Sequence, residues 1–341
     1  VYYVIDDHAK KIKALLLERE KGYLCPFAKL SSASSGNDFR LSFQRDRDRI
    51  IHSKAFRRLK GKTQVFLSPI GDHYRTRLTH TLEVSQISRT VARALNLNED
   101  LTEAVALGHD LGHAPFGHFG ERALNDIVPG GFHHAKQSER IAKKMNLTPE
   151  VCEGIAKHSK GKGPILDDNM SRYCSTLEGQ IVRVADIIAY VNHDLDDAVR
   201  AGLISRDDLP ANITSFIGKT PKENMTIMVS DVIISTFEEI KKNYDGVNKR
   251  IYMTGEIISA IDSLRAYLFE HVYEEKKVIA DFNKVFDVCS FLFKYFVNNP
   301  DKLLKEIDKK ELYDSVEKVA SDYISGMTDN YALNFYKTLM I

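Results

Sequence analysis

Apolar residues recur in this chain at helical spacing and almost never alternate, so its core is expected along helix stripes and not across a sheet. In "TRLTHTLEVSQISRTVARALNL" the stripe runs His80, Val84, Ile87, Val91, Leu95, which puts a histidine where a hydrophobic side chain is expected. "NEDLTEAVALGHDLGH" repeats the device: Leu101, Val105 and His109 lie on one line behind Asn98, a suitable N-cap. A third helix is expected over "STLEGQIVRVADIIAYVNHDLDDAV". There Ser175 and Glu178 have capping-box spacing, and Leu177, Ile181, Val184, Ile188, Val191 and Leu195 form the stripe. On another face of it Asp186, Tyr190 and Asp194 follow at i, i+4 and i+8, with Arg183 one turn earlier and near Asp186. The expected fold is all-α.

Residues 108–121, "GHDLGHAPFGHFGE", hold three histidines, an aspartate, a glutamate and four glycines. Glycine weakens a helix interior, and a buried His or Asp needs a partner, so the stretch is either an awkward surface loop or the floor of a site. Glycine and proline place loops at 60–75, 112–120, 128–134 and 159–175. Beyond residue 225, "DVIISTFEEIKKNY", "GEIISAIDSLRAYLFEHVY" and "DFNKVFDVCSFLFKYFV" read as further amphipathic helices. The organisation expected is an N-terminal arm (1–45), a core (46–205) and a helical C-terminal region (206–341) packed on that core.

Composition narrows the chemistry. Ten of the twelve histidines fall between His52 and His193. Cys25, Cys152, Cys174 and Cys289 lack CxxC spacing, which argues against a zinc ribbon and against a disulfide scaffold. No apolar run reaches the roughly 18 residues of a membrane span, and "VYYVIDDHAKKIK" has no signal-peptide core, so a cytoplasmic protein with no membrane partner is expected. The net charge of +1 hides a basic stretch: from Arg40 to Arg93 there are thirteen Lys/Arg against four Asp/Glu, a balance of 13 − 4 = +9. Such a stretch is either a solvated face with counter-charges elsewhere or a pocket for a polyanion.

A lone buried histidine is usually an ordinary core residue. His80, His109, Asp110 and Asp186 are four such groups on inward-facing helices, and two imidazoles with two carboxylates suit a first-row divalent ion, or Mg²⁺ or Mn²⁺. This H…HD…D pattern resembles the HD-domain metal-dependent phosphohydrolases. Within them, "RTRLTHTLEV", "GHDLGHAPFGHFGE", "RVADIIAYVNHD" and the upstream "RDRDRIIHSKAFRRLKGKTQVF" resemble the dGTP triphosphohydrolase-like family, over residues 38–200.

The resemblance implies an HD-domain helical core with additional C-terminal helices. It implies that His80, His109, Asp110 and Asp186 hold Mn²⁺ or Mg²⁺. His118 and Glu121 would be the catalytic pair, Glu121 orienting His118, while His113 and His134 line the phosphate channel. Arg77 would contact the phosphates, and Gln64, Tyr190 and Asp194 the deoxyribose. The implied reaction is attack on the α-phosphorus of a dNTP, giving a deoxynucleoside and tripolyphosphate. Also implied are a homo-oligomer, tetramer or hexamer, and a second nucleotide as activator, for which the basic loop "SKGKGP" offers a phosphate contact. Alternatives are another HD phosphohydrolase (a 5′-nucleotidase, a nucleotide phosphodiesterase or an alarmone hydrolase), or a non-catalytic nucleotide sensor or binder of single-stranded nucleic acid. His52 reads as structural, His158 as a helix terminator, and His193 as a partner for Asp197 at i+4.

Overall fold

The computed structural model describes residues 2–33, 39–64, 75–159, 161, 163–166, 169–242, 250–273, 276–307 and 315–340. Most of the loop expected at 60–75, and Lys160 and Lys162 of "SKGKGP", lie outside them. The protein is all-α. An N-terminal helix α1 (Tyr2–Tyr23) precedes α2 (Ser42–His52), α3 (Lys54–Arg58), α4 (Arg77–Ala94), α5 (Glu99–Gly108), α6 (Gly117–Ile127), α7 (His134–Lys144), α8 (Pro149–Lys157) and the long α9 (Leu177–Arg200). There follow α10 (Ala211–Ile217), α11 (Pro221–Lys242), α12 (Gly255–Leu268), α13 (Lys276–Asn298), α14 (Pro300–Glu306), α15 (Val316–Ser325) and α16 (Asp329–Met340). Among the described residues the only β-type pairings are the isolated bridges Ala33–Leu41 and Thr63–Thr76. All four cysteines are free, and among the described residues no helix is long and apolar enough to cross a membrane.

Helix α5 is the centre of the site-bearing half and packs against α2, α4, α8 and α9. Its Leu101 and Val105 are completely buried, each contributing about 1.5–3 kcal/mol by leaving water. Asn98 caps it as expected, accepting from the backbone N–H groups of Asp100 and Leu101 at 3.1 and 3.2 Å. Helix α9 separates two cores. Ile181, Val184, Ile188 and Val191 meet Ile213, Met228, Ile257 and Ile261 from α10–α12. Its opposite face, with Val182, Ala185 and Ala189, closes on α2, α4, α5 and α8. A third core joins Phe116 and Leu124 of the α6 region to Leu292, Phe296 and Ile324 of α13 and α15.

Two local expectations are corrected. The loop over 112–120 already contains the first turn of α6, which starts at Gly117 behind Phe116, a cap in the left-handed region at φ +64°. The N-cap of α9 is Thr176, which accepts from Gly179 N–H; Ser175 instead donates to Glu153. Glu178, freed from a capping box, turns inward to complete burial and accepts from the backbone N–H of Lys29 (2.9 Å) and of Asn98 (3.1 Å). One carboxylate thereby ties the N-terminal segment, the start of α5 and α9 together.

The basic excess is answered within the fold. Arg47 pairs with Asp48, Asp100 and Glu103, Arg40 with Asp48, Arg89 with Glu99 and Glu103, and Arg93 with Glu99. Much of the stretch is therefore a salt-bridged seam between α2, α4 and α5. Replacing Glu178 with Ala leaves the buried Asn98 N–H without an acceptor, at about 1–3 kcal/mol, and releases the Lys29 N–H of the N-terminal segment to water. A urea melt of Glu178→Ala should show that loss, with secondary structure intact by circular dichroism.

Candidate active site

The expected ligands come together. His80, in the first turn of α4 and 1% exposed, places Nε2 3.0 Å from Asp186 Oδ1 on α9. His109 follows the last residue of α5, and its Nδ1–H donates to the Ala106 carbonyl at 2.6 Å. That bond leaves Nε2 bearing the lone pair. This buried nitrogen has no hydrogen-bond partner, and it stands 3.5 Å from Asp110 Oδ2 and 3.8 Å from Asp186 Oδ1. An orphaned imidazole nitrogen facing two carboxylates is a donor set that fits a divalent cation. Burial works to raise the Asp186 carboxyl, but His80 beside it and the other neighbouring imidazoles hold it below the usual range. Burial opposes ionisation of Asp110 as well, and Arg77 with His109 overrides it, holding that group well below the ordinary value.

Arg77, expected on phosphate, makes its described contacts inside the protein. It is 2% exposed, its Nη1 donates to Asp110 Oδ2 at 2.5 Å and its Nη2 to the Gln64 carbonyl at 3.4 Å. Arg183, expected near Asp186, lays its guanidinium over the Tyr173 ring at 4.9 Å.

The glycines of the 108–121 segment serve close approach. Gly117, at φ +60°, would put a Cβ 2.6 Å from the Gln64 carbonyl oxygen, and at Gly112 a Cβ would lie 2.5 Å from the Gln137 carbonyl carbon. The C-terminal helices hold this floor from below. Asp329, first residue of α16, accepts from Phe116 N–H (2.7 Å), Thr63 N–H (2.9 Å) and Thr63 Oγ1 (2.6 Å). Lys62 Nζ, fully buried, donates to the carbonyls of His113 (2.5 Å) and Ser325 (2.7 Å), and burial draws its pKa down to about 7.

On that floor His113, His118 and Glu121 gather, with one ligating atom of each within 4.8 Å of the others. Glu121 makes its close bonds to His134, not to His118: Oε1 accepts from His134 Nδ1 at 2.7 Å and from its backbone N–H at 2.9 Å. Burial lowers His134 but the Glu121 charge more than compensates, so its pKa is raised. His113 stacks on His134, and burial with Arg77 holds it well below the ordinary range. His118 is exposed to solvent, yet desolvation by the protein around it and the charge of Arg77 pull it down to about 4. On α9, Tyr190 keeps partial exposure, its hydroxyl pKa raised by burial against the nearby charge of Arg265 of α12. Asp194 and Gln64 are buried.

Sequence reasoning missed several groups. His158 does end a helix, Nδ1 donating to the Ile155 carbonyl at 2.6 Å, but its Nε2 lies 3.1 Å from His134 Nε2, inside the site. His193 meets His80 and Glu83; Asp197 takes Arg75 instead. His52 is exposed at the end of α2 and plays no part in the core. Glu83 one turn from His80, and His193 two turns from Asp186, were the available signals. Arg265, Lys62 and Asp329 had none.

Two family models match the chain: an HD domain over residues 77–191 and a phosphohydrolase-associated domain over 251–338. A deoxyguanosinetriphosphate triphosphohydrolase-like protein of Desulfatibacillum aliphaticivorans is 48% identical, over 94% of this chain and 96% of that one. One of the same description from Caldanaerobacter subterraneus is 49% identical, over 97% and 96%. A solved phosphohydrolase from Bacteroides thetaiotaomicron is 16% identical with a TM-score of 0.48, over 91% of this chain and 70% of that one.

Asp329→Ala releases three donors under the start of α6 while leaving α4, α5 and α9 untouched. Because a misplacement near 1 Å costs about 10²-fold in rate, turnover should fall on that scale with Mn²⁺ affinity unchanged. Steady-state kinetics beside a metal titration read both.

Proposed function

The chain belongs to the deoxyguanosinetriphosphate triphosphohydrolase-like family of HD phosphohydrolases, and on that premise we propose that it hydrolyses a deoxynucleoside triphosphate at the α-phosphorus, releasing the deoxynucleoside and tripolyphosphate. The observation that most supports this is the orphaned His109 Nε2, which faces Asp110 and Asp186 close to His80. His80, His109, Asp110 and Asp186 would hold Mn²⁺ or Mg²⁺. Once bound, such an ion polarises a phosphoryl oxygen and offsets phosphate charge.

The protein's own groups supply the rest. Water adds to the α-phosphorus and gives up a proton to solvent, the bond to the 5′-oxygen breaks, and that oxygen takes a proton from His118, which solvent then restores. Glu121 and His134, an ion pair on the same floor, keep a cation facing the phosphates without competing for the proton of His118. Arg77 acts through Asp110, which it holds ionised and in place. Tyr190, near Arg265, and the buried Asp194 and Gln64 would receive the sugar.

Purified protein with Mn²⁺ should convert at least one dNTP to deoxynucleoside and tripolyphosphate, and a chelator should stop it. Monophosphate with pyrophosphate would replace the proposed phosphate register, and no turnover of any dNTP despite bound metal would remove the reading. Asp110→Ala should lose metal; His118→Ala should keep metal and lose turnover, by about 10²–10⁴-fold for a general acid.

An acid must carry its proton, so rate falls as pH rises through the pKa of His118. In the free protein that value is about 4, held down by desolvation from the protein around the exposed ring and by Arg77. A bound triphosphate brings about three to four negative charges and raises it. The descending limb of kcat should therefore lie at higher pH than that of kcat/KM; coincident limbs would give the proton to another group.

A further inference from the structure

We propose that Glu83 and His193 are positioning residues that lock His80 into the one tautomer able to bind a metal, and that with Asp186 they make a clasp between α4 and α9. The inference rests on His80 being a metal ligand.

Four imidazole nitrogens stand in line between Glu83 and Asp186. His193 Nε2 lies 2.8 Å from Glu83 Oε2. A carboxylate offers only acceptors and a negative charge, which favours a hydrogen on the nitrogen beside it. In neutral His193 the other nitrogen, Nδ1, is then an acceptor, and it lies 3.3 Å from His80 Nδ1. A His80 that binds a metal through Nε2 must carry its hydrogen on Nδ1, for which His193 Nδ1 is the acceptor in reach, and that leaves Nε2 bare. That bare nitrogen is 3.0 Å from Asp186 Oδ1. A lone pair facing a carboxylate is repulsive until a cation lies between them, so the line ends where a cation is wanted.

Helical spacing makes the clasp reciprocal. Asp186 and His193, two turns apart on α9, address the two nitrogens of the His80 ring, while His80 and Glu83, one turn apart on α4, address His193. Arg75 Nε stands 3.2 Å from the same Glu83 oxygen and its Nη1 3.5 Å from Asp197, which anchors the carboxylate from outside. His80 and His193 are 1% and 3% exposed, so water does not substitute for either partner. Partners of metal-bound imidazoles typically govern metal affinity by 10–100-fold.

The test is a calorimetric titration of the metal-stripped full chain with Mn²⁺. Gln at 193 can reach Glu83 from the Nε2 position but offers His80 no acceptor; Asn offers an acceptor at the Nδ1 position and nothing to Glu83. His193→Gln should weaken Mn²⁺ binding by about 10–100-fold, whereas His193→Asn stays near the unaltered affinity. Glu83→Met should weaken binding in the same direction as His193→Gln. Unchanged affinity in both His193→Gln and Glu83→Met overturns the proposal. So does an equal loss in His193→Asn and His193→Gln that tracks their thermal stability, because packing alone would explain it. If His193→Gln does not fold, Glu83→Met at its partly exposed position decides the matter. His80→Ala is the control: Mn²⁺ binding as tight as in the unaltered chain would remove the ligand reading itself, independently of the clasp. No arm depends on turnover of a dNTP.

Discussion

A carboxylate almost sealed from water must be given a reason to stay charged, and here the reason is Arg77. Its guanidinium meets Asp110 at 2.5 Å with both side chains nearly unexposed. Removing an ion from water costs several kcal/mol even after the protein relaxes. The segment on either side of Asp110 is arranged around that cost: a helix that stops at Gly108, a tight turn, and glycines where other backbone presses in. Desolvation chiefly, with the positive charge of Arg77 adding to it against the opposing pull of Asp110, holds the pKa values of His113 and His118 down.

The consequence is a cleft whose charge changes with its contents. Before binding, most of its histidines are neutral and His134 alone is strengthened as a cation, by Glu121. A polyanion entering such a place finds rings ready to take up protons beside it. This suits a reaction that must protonate an alkoxide-like leaving group, since the proton appears where the substrate's own charge calls for it.

Much of this was legible in the sequence, and the limit of legibility is physical. Helical repeats told that His80 and His109 face inward and that Asp186 lies on a polar line apart from the core stripe, because a stripe is a local property of three or four turns. The HD pair and the glycines announced the floor. What stayed hidden were directions and distant partners. Arg183 stands one turn from Asp186, yet it turned to Tyr173, and nothing in the spacing says which way a long side chain leans. Glu178 stood at capping-box spacing and instead found two backbone N–H groups, one of them 149 residues away. Glu83 and His193 were in plain view on readable helices, but their meeting depends on how α4 crosses α9. Lys62 and Asp329 reach across 263 and 266 residues, where no periodicity speaks.

Those last two contacts bear on how such a chain can vary. The HD segment, 77–191, and the associated segment, 251–338, are recognised as separate units. Their boundary in sequence is not a boundary in mechanics, since the carboxylate of Asp329 sets the first turn of α6 and a backbone carbonyl of α15 shares the ammonium that holds His113. A recombinant carrying one segment from this protein and the other from a distant relative would inherit ligands without their footing. The two must descend as a matched set, and drift in one is permitted only as far as the other follows.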